Sequence, residues 1–160
     1  MFIGIDLGTS SVKSILVDAN DRVIATASAP LEVSRPQPGF SEQNPADWWE
    51  AAVATLDKLK ATAPKEMTAV TGIGLSGQQH GATLLDKDGK VLRPCILWND
   101  GRSEMECKEI AAQFPEISRI TGNPAMPGFT APKLLWVRRH EPEIFAKVAT
   151  VLLPKAYLRY

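Results

Sequence analysis

A short apolar run, Phe2-Ile3-Gly4-Ile5, meets Asp6 and then a turn, Gly8-Thr9-Ser10-Ser11, before a second run from Val12 to Val17. This pattern predicts two strands joined by a turn. Gly8 has no Cβ, so the turn can take strained dihedrals and bring its backbone close to a ligand. The N–H groups and hydroxyls after it can converge on phosphate oxygens, as backbone nests do. Asp6, at the end of the first strand, suits a hydrated Mg²⁺, which keeps several waters and takes one or two carboxylates. Lys13 adds a positive charge on the strand beyond. A plain hairpin with an exposed Asp accounts for the same residues, because short motifs also match by chance. The rest of the chain has to decide.

The chain has 160 residues, 44% of them apolar, and no net formal charge, which suits one ordinary soluble domain. Balanced charge without a Lys/Arg run argues against nucleic acid as a partner. The apolar runs are too short to span a bilayer, so no membrane partner is expected. No charged n-region and long apolar h-region mark a secretory signal, and a cytoplasmic location is expected. Cys95 and Cys107 have neither a disulfide framework nor metal-ligand spacing, so both are expected to be idle thiols.

Residues 23–28 read as a third strand, completing an antiparallel meander. Pro30, Pro36, Pro38 and Gly39 predict an extended surface connection over 30–43. Asn44-Pro45 starts a helix whose inner face carries Trp48, Ala52, Leu56 and Leu59. Trp48 belongs to the core at that spacing. Residues 70–75 form a fourth strand. Gly72-Ile73-Gly74-Leu75-Ser76-Gly77 matches the dinucleotide pattern, but its glycines lie within the strand and open no helix, so that reading is rejected. Gln78-Gln79-His80-Gly81 follows, then a strand over 82–85, a hairpin turn at 86–90 and a strand over 94–98. After Arg102 a helix runs to about Gln113, with Met105, Ile110 and Ala111 facing the core. Thr130 is expected to cap a further helix in which Leu134, Leu135 and Val137 pack inward. A short helix after Glu141, a strand over 150–153 and a helix from Pro154 complete the order. A meander followed by helix–strand alternation predicts a mixed α/β sheet with helices on its faces. Polar clusters after the strands, at 6–11, 78–80 and 98–102, are expected to meet in one cleft.

Five stretches occur in the order found in one family. They are Asp6-x-Gly8-Thr9-Ser10-Ser11, Gly77-Gln78-x-His80-Gly81, Arg93-Pro94-x-Ile96-Leu97-Trp98-Asn99-Asp100-x-Arg102, Thr121-Gly122-Asn123, and Gly128-Phe129-Thr130-Ala131-Pro132-Lys133-Leu134-Leu135-Trp136. Together they resemble the FGGY carbohydrate kinases, and within them the members that phosphorylate D-xylulose. The resemblance implies a ribonuclease-H-like fold of the actin and hexokinase type. It also implies transfer of the γ-phosphoryl group of ATP to a ketose hydroxyl, largely by positioning and charge neutralisation. Small-molecule sugar and ATP are the implied partners, and a homodimer stays open. By the same resemblance Asp6 holds Mg²⁺ through water, Gly8, Thr9 and Ser10 form a phosphate loop, and Lys13 lies near the nucleotide phosphates. Gln79 and His80 occupy positions that contact the sugar, and Trp98 and Asp100 line its pocket. His80 as a structural histidine, Trp98 as core and Asp100 as a helix cap are the competing readings.

Family members commonly carry Met where this chain has Gln79, whose amide offers donors and an acceptor. They also run to several hundred residues, with the catalytic Asp and the adenosine site in the part that would follow Tyr160. The chain therefore reads as an N-terminal sugar-binding and phosphate-loop domain over residues 1–160, inactive by itself. Related kinases of ribulose, gluconate or glycerol, or a non-catalytic sugar-binding domain, are the alternatives. Gln79-His80 favours a ketopentose, since a glycerol kinase is expected to carry Arg-Glu there.

Overall fold

The computed structural model describes residues 1–160. In chain order the elements are β1 (Phe2–Leu7), β2 (Ser11–Val17), β3 (Val23–Pro30), β4 (Glu42–Gln43), α1 (Pro45–Thr62), α2 (Pro64–Met67) and β5 (Gly72–Gly77). There follow β6 (Thr83–Leu85), β7 (Cys95–Ile96), α3 (Glu104–Gln113), α4 (Ile117–Thr121), α5 (Thr130–His140), α6 (Pro142–Phe145), β8 (Thr150–Leu152) and α7 (Pro154–Arg159). They divide into two compact units. One comprises Met1–Val33, Pro45–Gln78 and Lys155–Tyr160; the other comprises Ser34–Asn44 and Gln79–Pro154.

The first unit is built on a four-stranded sheet in the order β3-β2-β1-β5. The meander pairs antiparallel, and β5 adds parallel to β1. Strand alternation sends Ile3, Ile5, Leu7, Val12 and Leu16 to one buried face. Helix α1 packs on the sheet with Trp48, Ala52, Thr55 and Leu59 buried. Each large apolar side chain enclosed in this way contributes on the order of 2 kcal/mol. The Ser14 hydroxyl lies on the same face, 2.6 Å from Thr55 Oγ1, which donates onward to the Ala52 carbonyl at 2.7 Å. This buried polar pair under α1 is thereby satisfied. Trp48 is fully buried, edge-on to Tyr157 at 6.0 Å, so the core assignment holds. The Gly72–Gly77 run is strand throughout, and a Cβ at Gly77 would stand 2.8 Å from Leu7 Cβ. These glycines serve strand packing.

In the second unit β4 pairs antiparallel with β7 and β6 with β8, around a core of Ala82, Leu84, Ile96 and Val137. Leu134, Trp136 and Phe145 pack against that core. Four expectations change here. The connection over 30–43 is not all surface: Ser41, Glu42 and Gln43 are buried, because the segment pairs with Cys95 and Ile96 as β4. The strand expected over 94–98 shrinks to β7. Helix α3 turns Glu106, Cys107 and Ile110 inward, leaving Met105 65% exposed and Ala111 outside. Arg139 donates to buried Glu106 at 2.8 Å, which lets a carboxylate take the inward position. Thr130 does not cap α5; Phe129 precedes the helix and the Thr130 hydroxyl donates to the His80 carbonyl at 3.2 Å. Helix α4, unforeseen, stops at Gly122, whose φ of 75° is open to glycine at no steric cost. No helix is long and apolar enough to cross a membrane.

Candidate functional site

In the first unit the face of the sheet opposite α1 is open. Register places Ser28, Lys13, Asp6 and Ser76 side by side in one row across four strands. Gly4 and Gly74 sit one row below and project no side chain, leaving a depression of about 690 Å³ that Asp6, Lys13, Ser28 and Ser76 also line. Asp6 is exposed, and its carboxylate makes neither a hydrogen bond nor an ion pair. No cluster of three metal-ligating side chains exists in the chain. An open carboxylate between the Ser76 hydroxyl and the Lys13 ammonium suits a Mg²⁺ ion that keeps most of its water, with Lys13 left to face phosphate charge.

The turn leaving β1 is tight. The Gly8 N–H donates to the Ser11 carbonyl at 3.0 Å, and a Cβ on Gly8 would stand 3.0 Å from the same oxygen. Gly8 does not take a positive φ, so glycine is needed here for close approach and not for a strained dihedral. The Ser10 carbonyl accepts the Leu31 N–H at 2.9 Å, which ties the turn to the end of β3. Gln78, at the end of β5, donates its N–H to the Leu7 carbonyl at 2.8 Å and accepts a long 3.4 Å bond from the Thr9 hydroxyl.

The second unit holds the other four expected residues. Gln79 and His80 are exposed. His80 has φ 63°, one of two non-glycine residues with positive φ, and its ring lies 4.6 Å from Phe129. A satisfied core histidine is therefore excluded. Gly81 follows because nothing larger fits: a Cβ would meet Pro154 Cγ at 2.6 Å and Cys95 Sγ at 2.9 Å. Trp98 is 50% exposed, so the core reading of this residue also fails.

Asp100 departs from its expected role. Its carboxylate is buried, accepting the Ser41 N–H at 2.6 Å and the Arg102 guanidinium at 2.8 and 2.9 Å. It also accepts the Arg102 N–H at 2.9 Å, closing a local turn. It does not cap α3, which starts after Ser103. The oxygens expected in a sugar pocket are turned into the protein. Arg102 in turn reaches Glu42 at 2.7 Å and lies 3.8 Å over the Phe40 ring.

Lys133 is the residue whose role was missed. It is fully buried on α5, and its ammonium donates to the His80 carbonyl at 2.8 Å and to the Gly128 carbonyl at 2.7 Å. Burial pulls its pKa down to about 8. The signal was present in the spacing, since Lys133 lies four residues before the inward-facing Val137. Cys95 and Cys107 are free and buried, as expected, and burial pushes the Cys95 thiol up to about 11.

The sequence profile described as the N-terminal domain of the FGGY family of carbohydrate kinases matches residues 1–160. The chain belongs to that family. The xylulose kinase of Escherichia coli is 55% identical over 160 residues, covering 99% of this chain and 32% of the relative. That of Bacillus subtilis is 46% identical over 159 residues, covering 99% and 32%. Among solved structures, a xyloylose kinase from Brucella ovis superposes with a TM-score of 0.96 at 57% identity, over 98% of this chain and 33% of that one. The xylulose kinase of Rhodospirillum rubrum gives a TM-score of 0.94 at 40% identity, with coverage of 98% and 33%. The FGGY chain thus has the ribonuclease-H-like fold of these kinases and spans about a third of their length.

Proposed function

We propose that this chain is the N-terminal sugar- and phosphate-binding domain of an ATP-dependent ketopentose kinase, acting in the cytoplasm on D-xylulose to form D-xylulose 5-phosphate. The observation that carries the reading is the exposed imidazole of His80, held in a left-handed turn between Gln79 and Gly81 at the point where the chain leaves β5. D-xylulose is favoured by the relatives named xylulose kinase.

In this reading the Gln79 amide and the His80 imidazole hydrogen-bond hydroxyls of the sugar, and the Trp98 ring forms an apolar wall. Gly8, Thr9 and Ser10 offer N–H and hydroxyl donors to the phosphates, and Lys13 offsets their charge from the open sheet face. Asp6 would hold hydrated Mg²⁺, which when bound neutralises phosphate charge. The general base that takes the proton of the attacking hydroxyl is assigned to the part of the full-length kinase beyond Tyr160, so the 160-residue chain alone turns over no sugar.

Calorimetry on the full-length protein with D-xylulose, D-ribulose, gluconate and glycerol tests the substrate. D-xylulose is expected to bind tightest, and preference for another of the four reassigns the sugar. His80→Ala is expected to weaken sugar binding by about 1–3 kcal/mol, at least tenfold at the upper half of that range. Nucleotide affinity is expected to stay level. A variant that binds sugar normally would remove His80 from the pocket.

A further inference from the structure

His80 needs support that its own residue type does not supply. A left-handed backbone is unfavourable for a side chain other than glycine and persists only where the surroundings over-determine it. The His80 carbonyl is gripped by two donors of α5, Lys133 Nζ at 2.8 Å and Thr130 Oγ1 at 3.2 Å. The same ammonium holds the Gly128 carbonyl at 2.7 Å. Gly128 precedes Phe129, whose ring lies 4.6 Å from the His80 imidazole. Gly128 also lies so close to Trp98 that a Cβ there would stand 2.5 Å from the Trp98 carbonyl. One nitrogen is therefore bonded to the turn that carries His80 and to the loop that carries the ring beside it.

A lysine with no exposed surface is an expensive way to fill space, because burial disfavours its charged form. An unbranched apolar side chain would occupy the same volume without that penalty, but it would donate nothing to either carbonyl. The amine retains two N–H donors even when neutral, matching the two carbonyls it meets.

We propose that Lys133 is a positioning residue for sugar recognition: its amine clamps the His80 and Gly128 carbonyls and thereby fixes the left-handed turn that presents the imidazole. This inference rests on the assignment of His80 to the sugar.

The test uses the full-length kinase with Lys133→Met, which keeps the bulk and removes the donors. The KM for D-xylulose is expected to rise about tenfold while the KM for ATP stays within about twofold. Introduced into His80→Ala, the same substitution is expected to change the sugar KM by less than about twofold, because the group it positions is gone. A folded Lys133→Met enzyme with an unchanged sugar KM overturns the proposal, and so does a full tenfold effect in the His80→Ala background. If Lys133→Met does not fold, Lys133→Gln, whose shorter amide reaches at most one carbonyl, carries the same readouts. NMR of histidine-labelled protein, with the His80 signals assigned by their loss in His80→Ala, separates the two assignments. Should His80→Ala leave the sugar KM unaltered, the sugar reading of His80 fails. The clamp then stands if Lys133→Met moves the His80 shifts from left-handed to extended values, and falls if they do not move.

Discussion

The Asp100 carboxylate accepts the backbone N–H of Ser41 at 2.6 Å, joining two segments 59 residues apart in the chain. The same group holds the Arg102 guanidinium, and Arg102 is 1% exposed at its side chain. Removing one partner from a buried ion pair leaves the other charge uncompensated, at a cost of about 3 kcal/mol. Glu42 stays beside Arg102 at 2.7 Å and bounds the loss. Asp100→Ala is expected to lower the urea midpoint substantially, with sugar affinity of the folded fraction little changed. Unaltered stability with sugar binding lost would return Asp100 to the pocket.

Asp6 is expected to behave in the opposite way. It lies exposed at the end of β1 with no partner bonded to its carboxylate, so Asp6→Asn removes no native contact. Melting temperature and D-xylulose affinity of the full-length protein are expected to stay level, while turnover falls and its Mg²⁺ dependence shifts. A loss of sugar binding equal to the loss of turnover would make Asp6 a structural residue.

At Gly81 the issue is volume. A methyl group there meets Pro154 at 2.6 Å and Cys95 at 2.9 Å, and neither a proline ring nor a buried thiol moves aside cheaply. Gly81→Ala is expected to destabilise the protein by about 1–3 kcal/mol, the usual range for overpacking. Gly39→Ala makes a useful contrast in thermal denaturation: nothing lies within 4 Å, so only its φ of 82° resists the change. Equal effects at the two positions would contradict the crowding assigned to Gly81.

Two buried groups give stability a defined pH dependence. Burial holds the Lys133 pKa near 8, below its ordinary 10.5, so above about pH 8 the unfolded chain binds more protons at this group. Stability therefore rises with pH, by about 1 kcal/mol between pH 8 and 9. Burial raises Cys95 from 9.0 to about 11, so above pH 9 the folded state binds the extra proton and the contribution of this group falls. The Lys133 rise runs up to the ordinary lysine value of 10.5 and outweighs the Cys95 fall until the two balance, so a broad maximum at about pH 10 is expected in urea titrations. In Lys133→Met the rise should vanish while the fall persists. A rise that survives the substitution would show that another group causes it.

Local patterns carried much of the fold because each was a matter of short-range geometry. Alternation in β1 and β2 decided which residues face α1, and Asn44-Pro45 marked where that helix begins. The register that sets Asp6 beside Lys13 follows from so short a turn. Even the rejection of the glycine pattern at 72–77 needed only its strand context. The inner face of α3 was legible only in part. Met105 looks apolar enough to be core, yet Glu106 turns inward because Arg139, 33 residues away, supplies its partner.

What the sequence by itself determined is the meander, the tight turn at Gly8, the helix–strand order and membership of the FGGY kinases. What only the tertiary structure decided is how distant segments satisfy one another's polar groups. Residues 41–43 lie among prolines and glycines and look like surface, yet Glu42 and Gln43 pair with β7, Ser41 bonds Leu97 and Asp100, and all three are buried. Asp100 looks like a ligand-facing acid and is consumed by Ser41 and Arg102. Lys133 looks like an ordinary helix lysine and is enclosed beneath His80. In each case one deciding partner lies dozens of residues away, and most buried donors and acceptors are tolerated because such a partner is met. No local pattern encodes that meeting; the packed chain creates it.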